Sequence, residues 1–321
     1  MPEFFIFIME FTQFLKYLSV FAVGFSVSCI ATVPVFRVAF SVGAVDVPRD
    51  LRRMHTRVTA TSGGIAIFSA LAIAVLCYVR GEFSALSGAL LSGGAISAAL
   101  GFCDDVTPLP PKLKLAGECC VALIPLSFGI FAKEVEFFGV SFPLPFPFSF
   151  LFSFLWIITV TNAINLIDGL DGLAAGVGFV ASLALFARFS TSGANPDTAI
   201  LPLALASVLL GFLPHNTKKA KIFMGDCGSL SLGYSLSVLT LTDGNYGSGS
   251  FPIAAATLIL AYPLADTVFA VARRIKNKSG IFCADKNHIH HRLVKRGYSK
   301  AESAFLLVFL TAVASVVSLF V

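Results

Sequence analysis

Ten apolar runs of helix length, following one another with only short polar stretches between, constrain this sequence more than any other feature. They cover residues 15–35, 63–79, 83–102, 113–131, 148–166, 173–189, 198–213, 229–242, 251–271 and 304–321. A bilayer core about 30 Å thick is crossed by roughly 20 apolar residues in a helix. In lipid every backbone N–H and C=O must be satisfied within the segment, which leaves helices for chains of this kind. The composition agrees: 56% of residues are hydrophobic and 13% charged, against about 25% charged in soluble domains. The expected fold is therefore all-α, a polytopic integral membrane protein of about ten transmembrane helices with catalytic loops on the cytoplasmic side. No linker or low-complexity stretch divides it, so residues 1–321 form one domain. The run at 229–242 is short and Ser-rich, and survives only if other helices shield it from lipid.

Glu3 and Glu10 stand where a secretion signal needs positive charge, so the first run reads as a retained helix. Orientation follows from Lys and Arg. Of the 23, 19 fall at the loops after the odd-numbered runs and four on the other side. The positive-inside rule makes the first group cytoplasmic and both termini external. Nine of the eleven Asp and all five His fall on that same side, whereas Glu3, Glu10, Glu82, Glu134 and Glu136 lie opposite. Short carboxylates gathered with His and Lys on one face suggest a site for metal and phosphate. The basic residues form no continuous polar face, which excludes nucleic acid as a partner. The seven Cys show neither zinc spacing nor a disulfide framework. Cys103, Cys227 and Cys283 adjoin the polar motifs and are expected to face the cytoplasm near the ligand.

Four segments carry the chemistry. Asp104-Asp105 ends the third run, and a divalent cation would relieve the repulsion of two adjacent carboxylates. Lys112 and Lys114 follow and could meet phosphate. Asn162, Asn165, Asp168 and Asp171 recur every third residue between apolar positions, which keeps them on one drifting face of a helix. Polar groups there are costly without partners. Lys221 leads into Gly225-Asp226-Cys227-Gly228-Ser229, a turn whose free N–H groups and carboxylate suit a metal bridged to phosphate. His288, His290, His291 and Arg292 cluster in the last loop, where they could bind a diphosphate or orient a leaving group. A solvated helix end, an N-cap turn, interhelical hydrogen bonding and a basic loop are the plain structural alternatives for the four.

Taken in order from Asp46 to Arg296, these segments resemble the polyprenyl-phosphate N-acetylhexosamine-1-phosphate transferase family, bacterial glycosyltransferase family 4. The resemblance is strongest to its undecaprenyl-phosphate GlcNAc-1-phosphate transferase-like branch, and the phospho-MurNAc-pentapeptide translocase is a cousin. It rests on Asp46-Val-Pro-Arg with His55, Gly63-Gly64, Asp104-Asp105 with Lys112 and Lys114, Asn162 to Gly172, Lys221 to Ser229, Pro263 with Asp266 and Thr267, and His288-Ile-His290-His291-Arg292. The chain departs from the family at Thr59 and Thr61, at Pro108 in place of a third acid, and at Lys218-Lys219. His-Ile-His-His matches the amino-sugar branch better than the translocase branch.

The resemblance implies a ten- or eleven-helix bundle in the bacterial inner membrane, dependent on Mg²⁺ or Mn²⁺. The partners it implies are a UDP-amino-sugar donor and undecaprenyl or another polyprenyl phosphate as acceptor, and it allows a homodimer. The products would be UMP and the lipid diphosphate sugar that starts a cell-surface polysaccharide. It implies catalytic roles for Asp104, Asp105, Asp168, Asp171, His290 and His291. Substrate would be bound by His55, Lys112, Lys114, Asn162, Asn165, Lys221, His288 and Arg292. Metal would be held by Asp226 with Asp104 or Asp105. The rival in the same family is pentapeptide-bearing transfer. The rival in another class is a transporter, which predicts acids near the bilayer midplane and an internal repeat.

Overall fold

Each of the ten apolar runs contains a helix in the computed structural model, which describes residues 2–47, 58–78, 84–191, 196–217, 219–242, 249–278 and 287–321. The order is α1 (Pro2–Val42), β1 (Val45–Asp46), β2 (Thr59–Ala60), α2 (Gly64–Tyr78), α3 (Ala85–Val106), α4 (Pro111–Ser127), β3 (Glu134–Phe137), β4 (Val140–Pro143), α5 (Phe148–Ile167), α6 (Leu173–Thr191), α7 (Ile200–Asn216), α8 (Gly225–Thr240), β5 (Ser250–Pro252), α9 (Ile253–Ile259), α10 (Ala261–Lys276), α11 (Ile289–Lys295) and α12 (Lys300–Val317). His55 lies outside the described residues, as do Lys218 and Cys283.

The expected count of ten crossings is not reached on length and hydropathy. Six helical stretches among the described residues meet both: Glu10–Val42, Ala85–Val106, Phe148–Ile167, Leu173–Thr191, Pro196–Asn216 and Lys300–Phe320. A seventh arises if α9 and α10, which meet at 85°, form one broken span. The remaining runs fall short for separate reasons. Helix α2 is short, α4 carries Lys112, Lys114 and Glu118, and α8 is short and rich in Ser.

Helix α8 shows how such a segment lives in an apolar bundle. Every residue from Cys227 to Thr240 is buried, and the helix packs against α2, α3, α5 and α6. Four of its hydroxyls bond within the helix: Ser231 donates to the Cys227 carbonyl, Ser235 to Ser231, Ser237 to Tyr234 and Thr240 to Leu236. No unpaired hydroxyl faces lipid, so shielding by neighbours replaces hydropathy as the condition for burial. The neighbours come close because side chains are missing at the crossings. A Cβ on Gly64 would collide with the Gly228 backbone, and one on Gly101 with the Asp226 carbonyl.

Helix alternation brings chemistry to one end of the bundle. Helices α1, α3, α5 and α7 end there, and α2, α4, α6, α8 and α12 begin there. Two connections are tied by backbone bonds: Phe223 N–H to the Ala60 carbonyl at 2.8 Å, and Gly63 and Gly64 N–H to the Phe223 and Met224 carbonyls at 3.0 Å each. At the opposite end β3 pairs antiparallel with β4 and parallel with β5. Helix α10 buries Tyr262, Pro263, Asp266 and Ala270 on one face. Its other face exposes Val268, Phe269 and Ile275.

Candidate active site

The gathered ends surround a cavity of about 1870 Å³. Asp104 and Asp105 come from the last turn of α3, Asp168 and Asp171 from the turn after α5, and Asp226 from the first turn of α8. Lys221 and His291 complete the sequence-derived residues on its wall. The acids therefore sit at helix ends on one side of the bundle, which is not the midplane arrangement of an ion path.

The carboxylates do different work. Lys114, reaching across from the first turn of α4, pairs with Asp226 and lies 3.0 Å from Asp104 Oδ2. Asp226 Oδ1 accepts from Asn165 Nδ2 at 2.8 Å, and the same amide donates to Ser229 Oγ at 2.8 Å. Asp104 Oδ1 accepts from Leu109 N–H at 2.6 Å. Asp105 faces backbone: it accepts from Asp226 N–H at 2.8 Å, Cys227 N–H at 3.2 Å and Ser62 Oγ at 2.8 Å. It thereby satisfies the orphan donors at the start of α8 and anchors Asp226. Asp171 Oδ2 accepts from Ala220 N–H at 3.1 Å and ties its turn to the Lys219–Lys221 segment. The Asp168 carboxylate has no hydrogen-bond partner among the described residues and lines the cavity. Burial, then the nearby Asp226, Asp105 and Asp171, push its pKa up to about 8.

Other sequence-derived residues are placed away from the cavity wall. Lys112 is exposed on the first turn of α4, and Arg292 is exposed on α11. Asn162 donates to Glu118. His288 and His290 are buried, and only His291 of the three imidazoles reaches the cavity. Burial, then the neighbouring His291 and His288, push His290 down to about 3, so its ring is neutral. Cys227 is 1% exposed and so is closed to reagents, against the expectation that it faces the cytoplasm, whereas Cys103 is exposed.

Sequence reasoning missed Glu118, Ser62 and Asn216. Glu118 is a buried carboxylate one helical turn from Lys114, and a charge inside an apolar run was the signal that could have found it. Asn216 accepts from Gly172 N–H and donates to the Ile222 carbonyl, holding two loops of the site together. Nothing in its flanking sequence announces that role.

Two carboxylates aimed at one cation, hard oxygen donors and an adjoining cavity fit an ion that takes one or two protein carboxylates plus substrate phosphates. Among the described residues no three His, Cys, Asp or Glu converge on one metal position.

The class defined by fold and site is a multi-pass membrane protein with an acid- and lysine-lined cavity at one end of its bundle. The model of glycosyl transferase family 4 matches residues 87–244. A Bacillus subtilis protein named probable undecaprenyl-phosphate N-acetylglucosaminyl 1-phosphate transferase is 39% identical over 308 residues, covering 92% of this chain and 83% of its own. A Mycobacterium tuberculosis decaprenyl-phosphate N-acetylglucosaminephosphotransferase is 32% identical, covering 84% and 73%. The undecaprenyl-phosphate alpha-N-acetylglucosaminyl 1-phosphate transferase of Escherichia coli K12 is 26% identical, covering 86% and 76%. The chain belongs to glycosyl transferase family 4.

Proposed function

We propose that the protein transfers N-acetylglucosamine-1-phosphate from its UDP derivative to a polyprenyl phosphate in a bacterial inner membrane. The observation that carries this reading is the shape of the cavity. Its polar part is lined by Asp104, Asp168, Asp171, Asp226 and Lys221. The same cavity continues along Gly176, Phe179, Leu213, Ala304, Phe305 and Val308, an apolar wing between membrane helices. A substrate with a phosphate head and an isoprenoid tail fits such a cavity, and a water-soluble acceptor does not need the wing. The names of the relatives support the same acceptor and sugar.

In the proposed reaction an oxygen of the lipid phosphate attacks the sugar-bearing phosphorus of UDP-N-acetylglucosamine. The bond from that phosphorus to the bridging oxygen breaks, and UMP leaves with the electron pair. A phosphate monoester with a second pKa of about 6 is already mostly dianionic at pH 7, so no strong base is required. Lys114 and Lys221 supply positive charge to the diphosphate as it divides. Asp105 holds the start of α8 so that Asp226 keeps its aim, and Asn165 fixes the Asp226 rotamer. Asp226 and Asp104 would hold Mg²⁺, which when bound draws charge from the diphosphate. The positive charge of the loops supports a cytoplasmic setting for this end of the bundle, where nucleotide sugars are.

A panel of UDP-sugars offered to purified protein with undecaprenyl phosphate tests donor and metal together. UMP release should be greatest with UDP-N-acetylglucosamine and should stop on adding a chelator. Undiminished turnover in chelator would remove the ion from the scheme, and a preference for a pentapeptide-bearing donor would replace the sugar.

A further inference from the structure

The family motif containing Asp266 has no part in the cavity wall, yet Asp266 is fully buried and both its oxygens are engaged. Oδ2 lies 2.6 Å from His288 Nδ1, and Oδ1 accepts from Ile289 N–H at 2.7 Å. An ionised carboxylate only accepts, so the proton sits on His288 Nδ1. Ile289 is the first residue of α11, whose early N–H groups have no partner within the helix. One side chain of α10 thus holds the start of the histidine helix at two points. Tyr262, one turn earlier on the same face of α10, places its hydroxyl 3.4 Å from His290 Nδ1.

From His288 the contacts run on to the site. Its ring lies parallel to His290 at 5.6 Å and 5.9 Å from His291, and the latter two are 4.3 Å apart. His290 Nε2 has no hydrogen-bond partner among the described residues and faces Gly169, where a Cβ would stand 2.5 Å away. Gly169 follows Asp168 in the turn that also carries Asp171. His291 opens to the cavity.

We propose that Asp266 is the positioning residue of the histidine helix. By fixing His288 with its Nδ1 protonated and tying Ile289 to α10, it sets where His291 meets the cavity. Through His290 it sets how close the Asp168–Asp171 turn can come. The proposal rests on the reading that the cavity binds the diphosphate donor. A supporting residue of this kind commonly changes activity about 10–100-fold when replaced.

The test is Asp266→Asn, whose carbonyl oxygen can accept from Ile289 N–H while its amide nitrogen meets His288 Nδ1 as a second donor. Four readouts are needed: kcat and KM for UDP-N-acetylglucosamine, UMP affinity, melting temperature, and ¹⁵N spectra of labelled histidine. In the wild type, His288 should show a protonated Nδ1. In the variant that signature should be lost, kcat should fall about 10–100-fold, and KM and UMP affinity should stay near wild type. Full kcat in the variant would overturn the proposal. So would an Nε2-protonated His288 in the wild type, or kcat and UMP affinity falling together with the melting temperature. If Asp266→Asn does not fold, Ile289→Pro decides: kcat should fall about 10–100-fold while UMP affinity and the His288 Nδ1–H signature stay, and full kcat would overturn the proposal. This second variant removes the amide donor, leaves the Asp266–His288 pair and trims a side chain packed against the core, and His288 already has φ −54° and ψ 155°, which a following proline accepts. A wild type that transfers no sugar phosphate would defeat the functional reading alone. The comparison of His288 signatures would still decide the pairing.

Discussion

At the scale of single residues, position and partner separate acids that look alike in sequence. Asp226 stands at the centre of the site, while Asp197 pairs with Lys16 at the opposite end of the bundle. Asp226→Asn should lower kcat at least about 100-fold, since charge stabilisation at a phosphoryl centre is worth several kcal/mol. Asp197→Asn should leave kcat within about threefold, as expected of a part-exposed ion pair. Equal losses in two folded variants would contradict a one-sided site. Asp168 gives a prediction of opposite sign for stability. Its pKa is raised from 3.8 to about 8 in the folded protein. Between those values the unfolded chain has released a proton that the fold retains, so its contribution is intact below pH 4 and is lost as pH rises towards 8. Asp168→Asn should therefore melt higher than wild type at pH 8, with the gap narrowing towards pH 5, while transfer activity falls. A gap independent of pH would refute the shift. The cavity acids were legible in sequence because they gather with Lys and His at the run ends on one side, whereas Glu118, inside a run, was passed over. Their division of labour was not. Asp104 and Asp105 are adjacent, yet one turns to Lys114 and the other to the α8 backbone, which only the crossing of α3 and α8 decides.

At the scale of elements, the positions of the helices were readable and their independence was not. Hydropathy marked all ten runs, but α8 is a helix of the interior, held by α2, α3, α5 and α6. The close crossings make a sharp prediction. Gly64→Ala and Gly101→Ala each place a methyl against the backbone at residues 226–228, where overpacking costs about 1–3 kcal/mol. Both should lower the melting temperature, and Gly101→Ala should also lower kcat because its clash falls on Asp226 itself. Gly129→Ala, in open space but at φ +78°, should lower stability through backbone strain and leave kcat unchanged. If Gly101→Ala and Gly129→Ala affect kcat alike, α8 is not the rigid support of the site. The 85° break between α9 and α10 had no signal in the apolar pattern, because residues 251–271 are apolar on both sides of it. The break matters because it turns α10 towards the histidine helix and lets Asp266 reach His288.

At the scale of the whole molecule, the alternation of helices places one acid-rich end against one sheet-capped end, and native cysteines mark both. Cys103 is exposed near Asp104, and Cys77 is exposed near the far end of α2. In single-cysteine variants a charged, membrane-impermeant maleimide should reach Cys103 in inside-out vesicles and Cys77 in spheroplasts. The reverse pattern would invert the orientation drawn from Lys and Arg. The central claim is that phosphate moves together with the sugar from a nucleotide to a lipid. Purified protein in lipid nanodiscs, given undecaprenyl phosphate and UDP-N-acetylglucosamine labelled with ³²P at the sugar-bearing phosphorus, tests it directly. The label should enter the organic phase, the released nucleotide should be UMP, and added UMP should drive the label back, since one phosphoanhydride replaces another. Release of UDP with the label left in water, or no transfer by a folded and UMP-binding protein, would contradict the account.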